Sequence, residues 1–197
     1  MQKIKEHIDV FLEQQNSCFE KLSSQTEIIT KIIDLLIKTR DKGKNIYVMG
    51  NGGSGSTASH FVSDLLKTAI TKGNKRFSAI SLVDNTPVLL AWSNDSSYEE
   101  IFVEQLHNLL SKGDVVIAFS GSGKSKNVIK AFKFAKKKGA YCIGFTGMNG
   151  GYFPKLSDIC CIVNSNDMLI IESAHLALCH CIITAIRKLG KPIFHYG

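Results

Sequence analysis

The chain has 197 residues, of which 44% are hydrophobic and 21% charged; 24 Lys and Arg against 17 Asp and Glu give a net charge of +7. This composition excludes a disordered or fibrous chain, and the length suits one α/β domain that buries ~70% of the surface its unfolded form exposes. No apolar run reaches the ~18 residues expected of a membrane span, and Glu6, Asp9 and Glu13 interrupt the N-terminus where a signal peptide needs an apolar core, so a cytoplasmic protein is expected.

The first 43 residues are helical in pattern. Ile4, Ile8, Phe11, Leu12, Phe19 and Leu22 recur at spacings of three and four. Ser24 and Glu27 in SSQTEII read as a capping box and predict a second helix from there. Its stripe is Ile28, Ile29, Ile32, Ile33, Leu36 and Ile37, and Gly43 closes it. A stripe this rich predicts packing against helices of a second copy of the chain. From Lys44 strands and helices alternate. NIYVMG, RFSAISL, DVVIAFS, AYCIGFTG and ICCIVN read as strands. SGSTASHFVSDLLKTA, NTPVLLAWSND, YEEIFVEQLHNLL, KSKNVIKAFKFAKKKG and DMLIIESAHLALCHCIITAIRKL read as helices. Such alternation implies right-handed crossovers and a parallel sheet. Strands apolar throughout imply that both faces are covered. The expected fold is a three-layer αβα sandwich with a five-stranded parallel sheet of flavodoxin-like type, preceded by two N-terminal helices. It forms a single domain over 1–197, with oligomerisation helices over 1–43 and the α/β core over 44–190.

Two strand-to-helix junctions echo each other, MGNGGSGS from Met49 to Ser56 and FSGSGKS from Phe119 to Ser125. In an open parallel sheet such loops lie beyond the carboxyl ends of the strands, where ligands bind. Glycines let the backbone approach an anion and present N–H groups, the helix N-terminus adds partial positive charge, and the serines add hydroxyls without bulk. Neither loop is a Walker A or a G-x-G-x-x-G motif. A small sugar phosphate therefore fits better than a nucleotide, although a tight turn with a serine cap would use the same residue types.

Cys18, Cys142, Cys160, Cys161, Cys179 and Cys181 form no C-x-x-C pair, and their apolar settings read as reduced core thiols. Lys136, Lys137 and Lys138 cluster at a predicted helix end, where cations suit the helix dipole. No nucleic-acid motif accompanies them, so neither a nucleic-acid nor a membrane partner is expected.

His60 and Asp64 are four residues apart on one predicted helix and so share a face. Glu172 and His180 lie two turns apart on the last helix, offset by ~80°. One imidazole and one carboxylate from each helix make a plausible tetrahedral zinc site. The spacing alone does not separate these from ordinary surface or core groups, which is how His7, His107 and His195 read.

The segments GNGGS, WSND, FSGSGKSKNV, GFTGMNGG and IESAHLALCH, in that order, together resemble the sugar isomerase (SIS) domain family, and look most like its phosphoheptose isomerase branch. The resemblance covers nearly the whole chain and implies an SIS-type fold. It implies a homotetramer whose active sites lie between subunits and whose serine loops hold the substrate phosphate. By resemblance the substrate contacts are Asn51, Gly52, Gly53, Ser54, Asp95, Ser120, Gly121, Ser122, Ser125 and Glu172. Zinc, one per subunit, falls to His60, Asp64, Glu172 and His180, and proton transfer to Asp64 and His180. His175, one turn beyond Glu172, ranks below His180 as a ligand and suits packing or support. The implied reaction converts sedoheptulose 7-phosphate to D-glycero-D-manno-heptose 7-phosphate through an enediol, for heptose and cell-surface glycan synthesis. Four positions depart from the family: Asp64 replaces Glu, Glu172 replaces Gln, Thr68 replaces Arg and Leu169 replaces Asp. They leave two alternatives open, an isomerase of another ketose phosphate and a non-catalytic module that binds a sugar phosphate or a replication initiator.

Overall fold

The computed structural model describes residues 1–194; His195 lies outside the described residues. Helices α1 (Gln2–Leu22) and α2 (Thr26–Asp41) are joined by a 3-10 turn at Ser23–Gln25. The capping box does not form. The turn keeps the backbone hydrogen-bonded between the helices, with Thr26 N–H donating to Ser23 O, and Ser24 Oγ instead donates back to Lys21 O at 2.7 Å. A serine caps only where helix-start N–H groups are open, and here the first is taken. Among its residues α1 buries Cys18 alone and leaves Ile4, Ile8, Val10 and Leu12 exposed at 65%, 54%, 50% and 52%. α2 buries Ile29, Ile32, Ile33 and Leu36 of the predicted stripe.

The α/β region runs β1 (Asn45–Gly50), α3 (Gly53–Ser63), a π-helical turn (Asp64–Thr68), β2 (Ser78–Ser81), α4 (Thr86–Asp95), α5 (Val103–Leu109), β3 (Val115–Ser120) and α6 (Lys126–Lys137). It continues through β4 (Tyr141–Thr146), a short helix α7 (Phe153–Leu156), β5 (Ile159–Ile162) and α8 (Met168–Lys188). The five strands form one parallel sheet in the order β2-β1-β3-β4-β5. The order in which successive strands are laid across the sheet reverses between β1 and β3, where Gly50 pairs with Phe119. This is the switch point at which open sheets bind ligands, and both glycine-serine loops leave from it.

Alternate strand residues face opposite layers. Ile46, Val48, Val115 and Ile117 pack with α2, α3 and α8, whereas Tyr47, Met49, Val116 and Ala118 pack with α5, α6 and α7. Both faces are covered, as the apolar strands predict. The exception is β2, which sits at the sheet edge and alternates exposed Ser78 and Ile80 with buried Ala79 and Ser81.

Three local expectations change. The helix expected over YEEIFVEQLHNLL forms only from Val103; the residues before it are turns, and buried Gln105 donates to Ile101 O and Leu82 O, tying that entry to β2. The helix carrying His60 does not run straight to Ala69. It widens into the π turn, with Ala69 N–H reaching Asp64 O at 2.8 Å. Finally, α8 reaches the length and composition of a membrane span, with a mean hydropathy of 1.8 over its best window. Half of that window is buried here against the sheet, so its hydrophobicity is that of a core helix. All six cysteines are free, and burial pushes the Cys142 and Cys161 thiols up to about 12.

Candidate active site

The turn after β1 is tight. Gly52 has φ of 54°, and α3 begins at Gly53. Gly53 is a close-approach position: a Cβ built there would stand 2.2 Å from Glu172 Oε2, so only glycine admits the α8 carboxylate to this spot. The second loop, Ser120 to Ser125, closes with Gly123 at φ of 61°. It is buttressed from behind by the GFTGMNGG segment and the residue after it: Gly147 N–H donates to Gly121 O and Tyr152 N–H to Gly123 O, each at 2.9 Å. A Cβ on Gly123 would meet Gly150 O at 2.2 Å, so two backbones touch here directly.

Between the loops lies a cavity of about 200 Å³ lined by Asn51, Ser54, Ser120, Gly121, Ser122, Ser125 and Glu172. Ser120 Oγ and Ser125 Oγ are 3.2 Å apart, and the Lys124 N–H donates to Ser122 Oγ. The serine hydroxyls and the α6 N-terminus suit a small anion, whereas Glu172, the one charged side chain in the lining, opposes negative charge on its own side. Gly52 faces a neighbouring cavity of about 440 Å³ between α3 and α4.

A second constellation forms where α3 meets α8. His60 Nε2 and His180 Nε2 are 2.9 Å apart. Asp64 Oδ2 lies 3.4 Å from the first and 3.9 Å from the second. The three donor atoms all fall within 4.8 Å of one another. Zinc held at about 2.0–2.1 Å in a tetrahedron separates its ligand atoms by about 3.3 Å, a value these three spans bracket. Two imidazoles and a carboxylate form a donor set that could hold a divalent ion. Thr68 Oγ1 donates to Asp64 Oδ1 at 2.8 Å, which the π turn permits, and this holds the carboxylate with Oδ2 toward the imidazoles. The Asp64 side chain is 15% exposed, against 47% and 53% for His60 and His180.

Along residues 10–147 the sequence matches the SIS domain family. It is 38% identical to a phosphoheptose isomerase of Helicobacter pylori (strain P12) over 178 residues, covering 90% of this chain and 92% of that one. The chain belongs to the SIS domain family, on its phosphoheptose isomerase branch. A probable phosphoheptose isomerase of Thermoplasma acidophilum is 38% identical over 84% of this chain and 91% of its own. Among solved structures, the phosphoheptose isomerase of Neisseria gonorrhoeae superposes with a TM-score of 0.88 at 25% identity, covering 94% of this chain and 99% of that one.

Against the residues that this branch implies, the chain brings together His60, Asp64 and His180 but not Glu172. The ~80° offset between Glu172 and His180 does put them on neighbouring faces, yet eight residues also raise one above the other by about 12 Å. Glu172 is consequently carried to the serine-lined cavity. Asp95 is also apart: it ends α4 exposed, its Oδ1 accepting from Asn94 Nδ2 at 2.8 Å, and does not line that cavity. His175 is fully buried beside Phe119 and Phe145, and burial pushes its pKa down to about 4, partly offset by the Thr146 backbone. It lies outside the group formed by His60, Asp64 and His180. His107 lies against Phe134 with the two rings tilted by 37°.

Sequence reasoning missed several neighbours. Thr184 and Arg187 join Asp64, Thr68 and His180 around a cavity of about 250 Å³. They follow His180 by four and seven residues on one helix, a spacing that could have disclosed them. Asn127 and Tyr98, both hydrogen-bonded to Asn51, had no such signal.

Proposed function

We propose that the protein is an aldose–ketose isomerase that converts sedoheptulose 7-phosphate to D-glycero-D-manno-heptose 7-phosphate, an early step toward heptose-containing cell-surface glycans. The observation that carries this reading is the meeting of His60, Asp64 and His180, from two helices, in a chain that also has a serine-lined anion cavity at the sheet's switch point. The names and identities of its relatives support the same substrate.

In this reading Ser54, Ser120, Ser122 and Ser125 hold the phosphate through hydroxyls, assisted by the backbone of Gly52, Gly53 and Gly121. Asn51 and Glu172 contact the substrate from the two sides of the same cavity, whereas Asp95, exposed at the end of α4, stands outside its lining. Asp64 and His180 carry the protons. Asp64 takes a proton from C1 of the ketose while His180 gives one to the C2 oxygen, which leaves an enediol. Returning a proton to C2 and withdrawing the one on the C1 oxygen completes the aldose. His60, Asp64 and His180 would hold a zinc ion through the converging Nε2, Oδ2 and Nε2 atoms, which leaves Asp64 Oδ1 and His180 Nδ1 for the proton transfers, with Glu172 outside the set. When bound, such an ion supplies Lewis-acid polarisation of the carbonyl. Thr68 orients Asp64, which is one methylene shorter than glutamate, so the carboxylate stays aimed without an arginine at that position.

The same reading makes the chain one SIS domain over 1–197, cytoplasmic and homotetrameric, with active sites completed at subunit contacts. The exposed Ile4, Ile8, Val10 and Leu12 of α1 support the assembly, since a run of apolar side chains on one helix marks an interface. The test is turnover of sedoheptulose 7-phosphate by the purified full chain with zinc. An aldose 7-phosphate product is expected, as is joint loss of stoichiometric zinc and turnover in His180→Ala. No turnover with zinc or any other divalent ion overturns the reading.

A further inference from the structure

Asn51 is fixed by a hydrogen-bond network whose polarity can be worked out. The backbone N–H of Val128 is 2.9 Å from the side chain of Asn127. An N–H only donates, so the atom that it meets is Asn127 Oδ1. The other end of that amide, Nδ2, then faces Asn51 and donates to Asn51 Oδ1 at 2.8 Å. Asn51 Nδ2 returns a bond to Asn127 Oδ1 at 3.0 Å. Tyr98 Oη meets the same Asn51 Oδ1 at 2.9 Å and must be its donor. Asn127 is 2% exposed, so this amide pair is shielded from water on one side.

Counted group by group, Asn51 Oδ1 has both lone pairs engaged and Asn51 Nδ2 has one of its two hydrogens engaged. One N–H is left, on a side chain that lines the serine cavity. We propose that Tyr98 and Asn127 are positioning residues that turn Asn51 into a pure hydrogen-bond donor toward an anionic oxygen in that cavity, a phosphate or phosphate-ester oxygen. The inference rests on the reading of the cavity as a phosphate site and names how it discriminates. An oxygen acceptor finds the donor; a ligand group that itself donates finds no acceptor at Asn51. Tyr98 follows Asp95 by three residues, so the same bond ties the exposed end of α4 to the loop after β1.

Tyr98 is 54% exposed, and Tyr98→Phe removes one hydroxyl with little bearing on folding. Freed from its second donor, Asn51 Oδ1 regains an open lone pair, so Asn51 is no longer a pure donor although Asn127 still holds its orientation. The test is a double-mutant cycle of Tyr98→Phe and Asn51→Ala, read as the affinity for inorganic phosphate by calorimetry and as KM and kcat for the sugar phosphate. The expected result is a weakening of phosphate binding and a rise in KM of about 3- to 10-fold from Tyr98→Phe, with kcat within about 2-fold. In the Asn51→Ala background the same substitution adds nothing, because the two act as one unit. Equal effects of Tyr98→Phe in both backgrounds overturn the inference, as does no effect in the parent. A parent protein that binds no phosphate overturns the cavity reading instead, and with it this inference.

Discussion

Replacing Gly53 with alanine changes the position of one carboxylate without changing its chemistry. The added Cβ would lie 2.2 Å from Glu172 Oε2 and 2.7 Å from its Cδ, where ordinary contact begins at 3.4 Å. The carboxylate must therefore withdraw by at least about 1.2 Å, and since it is the far end of a flexible side chain it can do so without moving α8. Glu172 lines the substrate cavity, so loss of its charged hydrogen bond to the substrate costs about 1.5–3 kcal/mol, and kcat/KM is expected to fall by about 10- to 100-fold. Stability moves little. Alanine in the first turn of α3 gains up to about 1 kcal/mol over glycine, and the displaced rotamer loses about 0.5–1.5 kcal/mol. The melting temperature should stay within about 4 °C of the parent. The assay is steady-state isomerisation alongside a thermal melt. An unchanged kcat/KM with an unchanged melt would refute the placement of Glu172 against the substrate.

Other substitutions separate the remaining parts of the site. His60→Ala and His180→Ala should each abolish stoichiometric zinc by metal analysis and cut kcat by about 100-fold or more, whereas Glu172→Ala should retain the metal; zinc lost only in Glu172→Ala would reverse the ligand assignment. Gly123→Ala imposes a side chain at a φ of 61° and against Gly150 O, so a loss of about 1–3 kcal/mol from the backbone alone is expected in urea unfolding, together with weaker phosphate binding. His175 is buried neutral with its pKa lowered to about 4. The unfolded chain thus binds the extra proton more readily, so the group's contribution is complete above about pH 6.5 and is lost as pH falls from there through about 4. Roughly 3 kcal/mol is at stake, and His175→Leu should flatten the pH dependence of urea unfolding in that window; an unaltered slope would count against a buried neutral imidazole.

The periodicities of the chain were enough to lay out the sheet, the order of its layers and the two loops at its carboxyl edge. Each of these rests on contacts within a turn or a strand, where residue spacing translates directly into which side chains share a face. His60 and Asp64 belong to that class, being one turn apart. Their meeting with His180 does not: it depends on the angle and depth at which α8 crosses α3, set by the apolar packing of both helices on the sheet. Glu172 shows the same limit from the other side. Its angular position on α8 was readable, but which cavity it reaches is decided by axial distance and by the absence of a side chain on Gly53. The failed capping box, the π turn that lets Thr68 hold Asp64, and the Asn51–Asn127–Tyr98 network are likewise tertiary outcomes. Each joins or frees polar groups according to what lies beside them in space, and hydrogen bonds are satisfied by proximity, which a linear pattern of residue types does not encode.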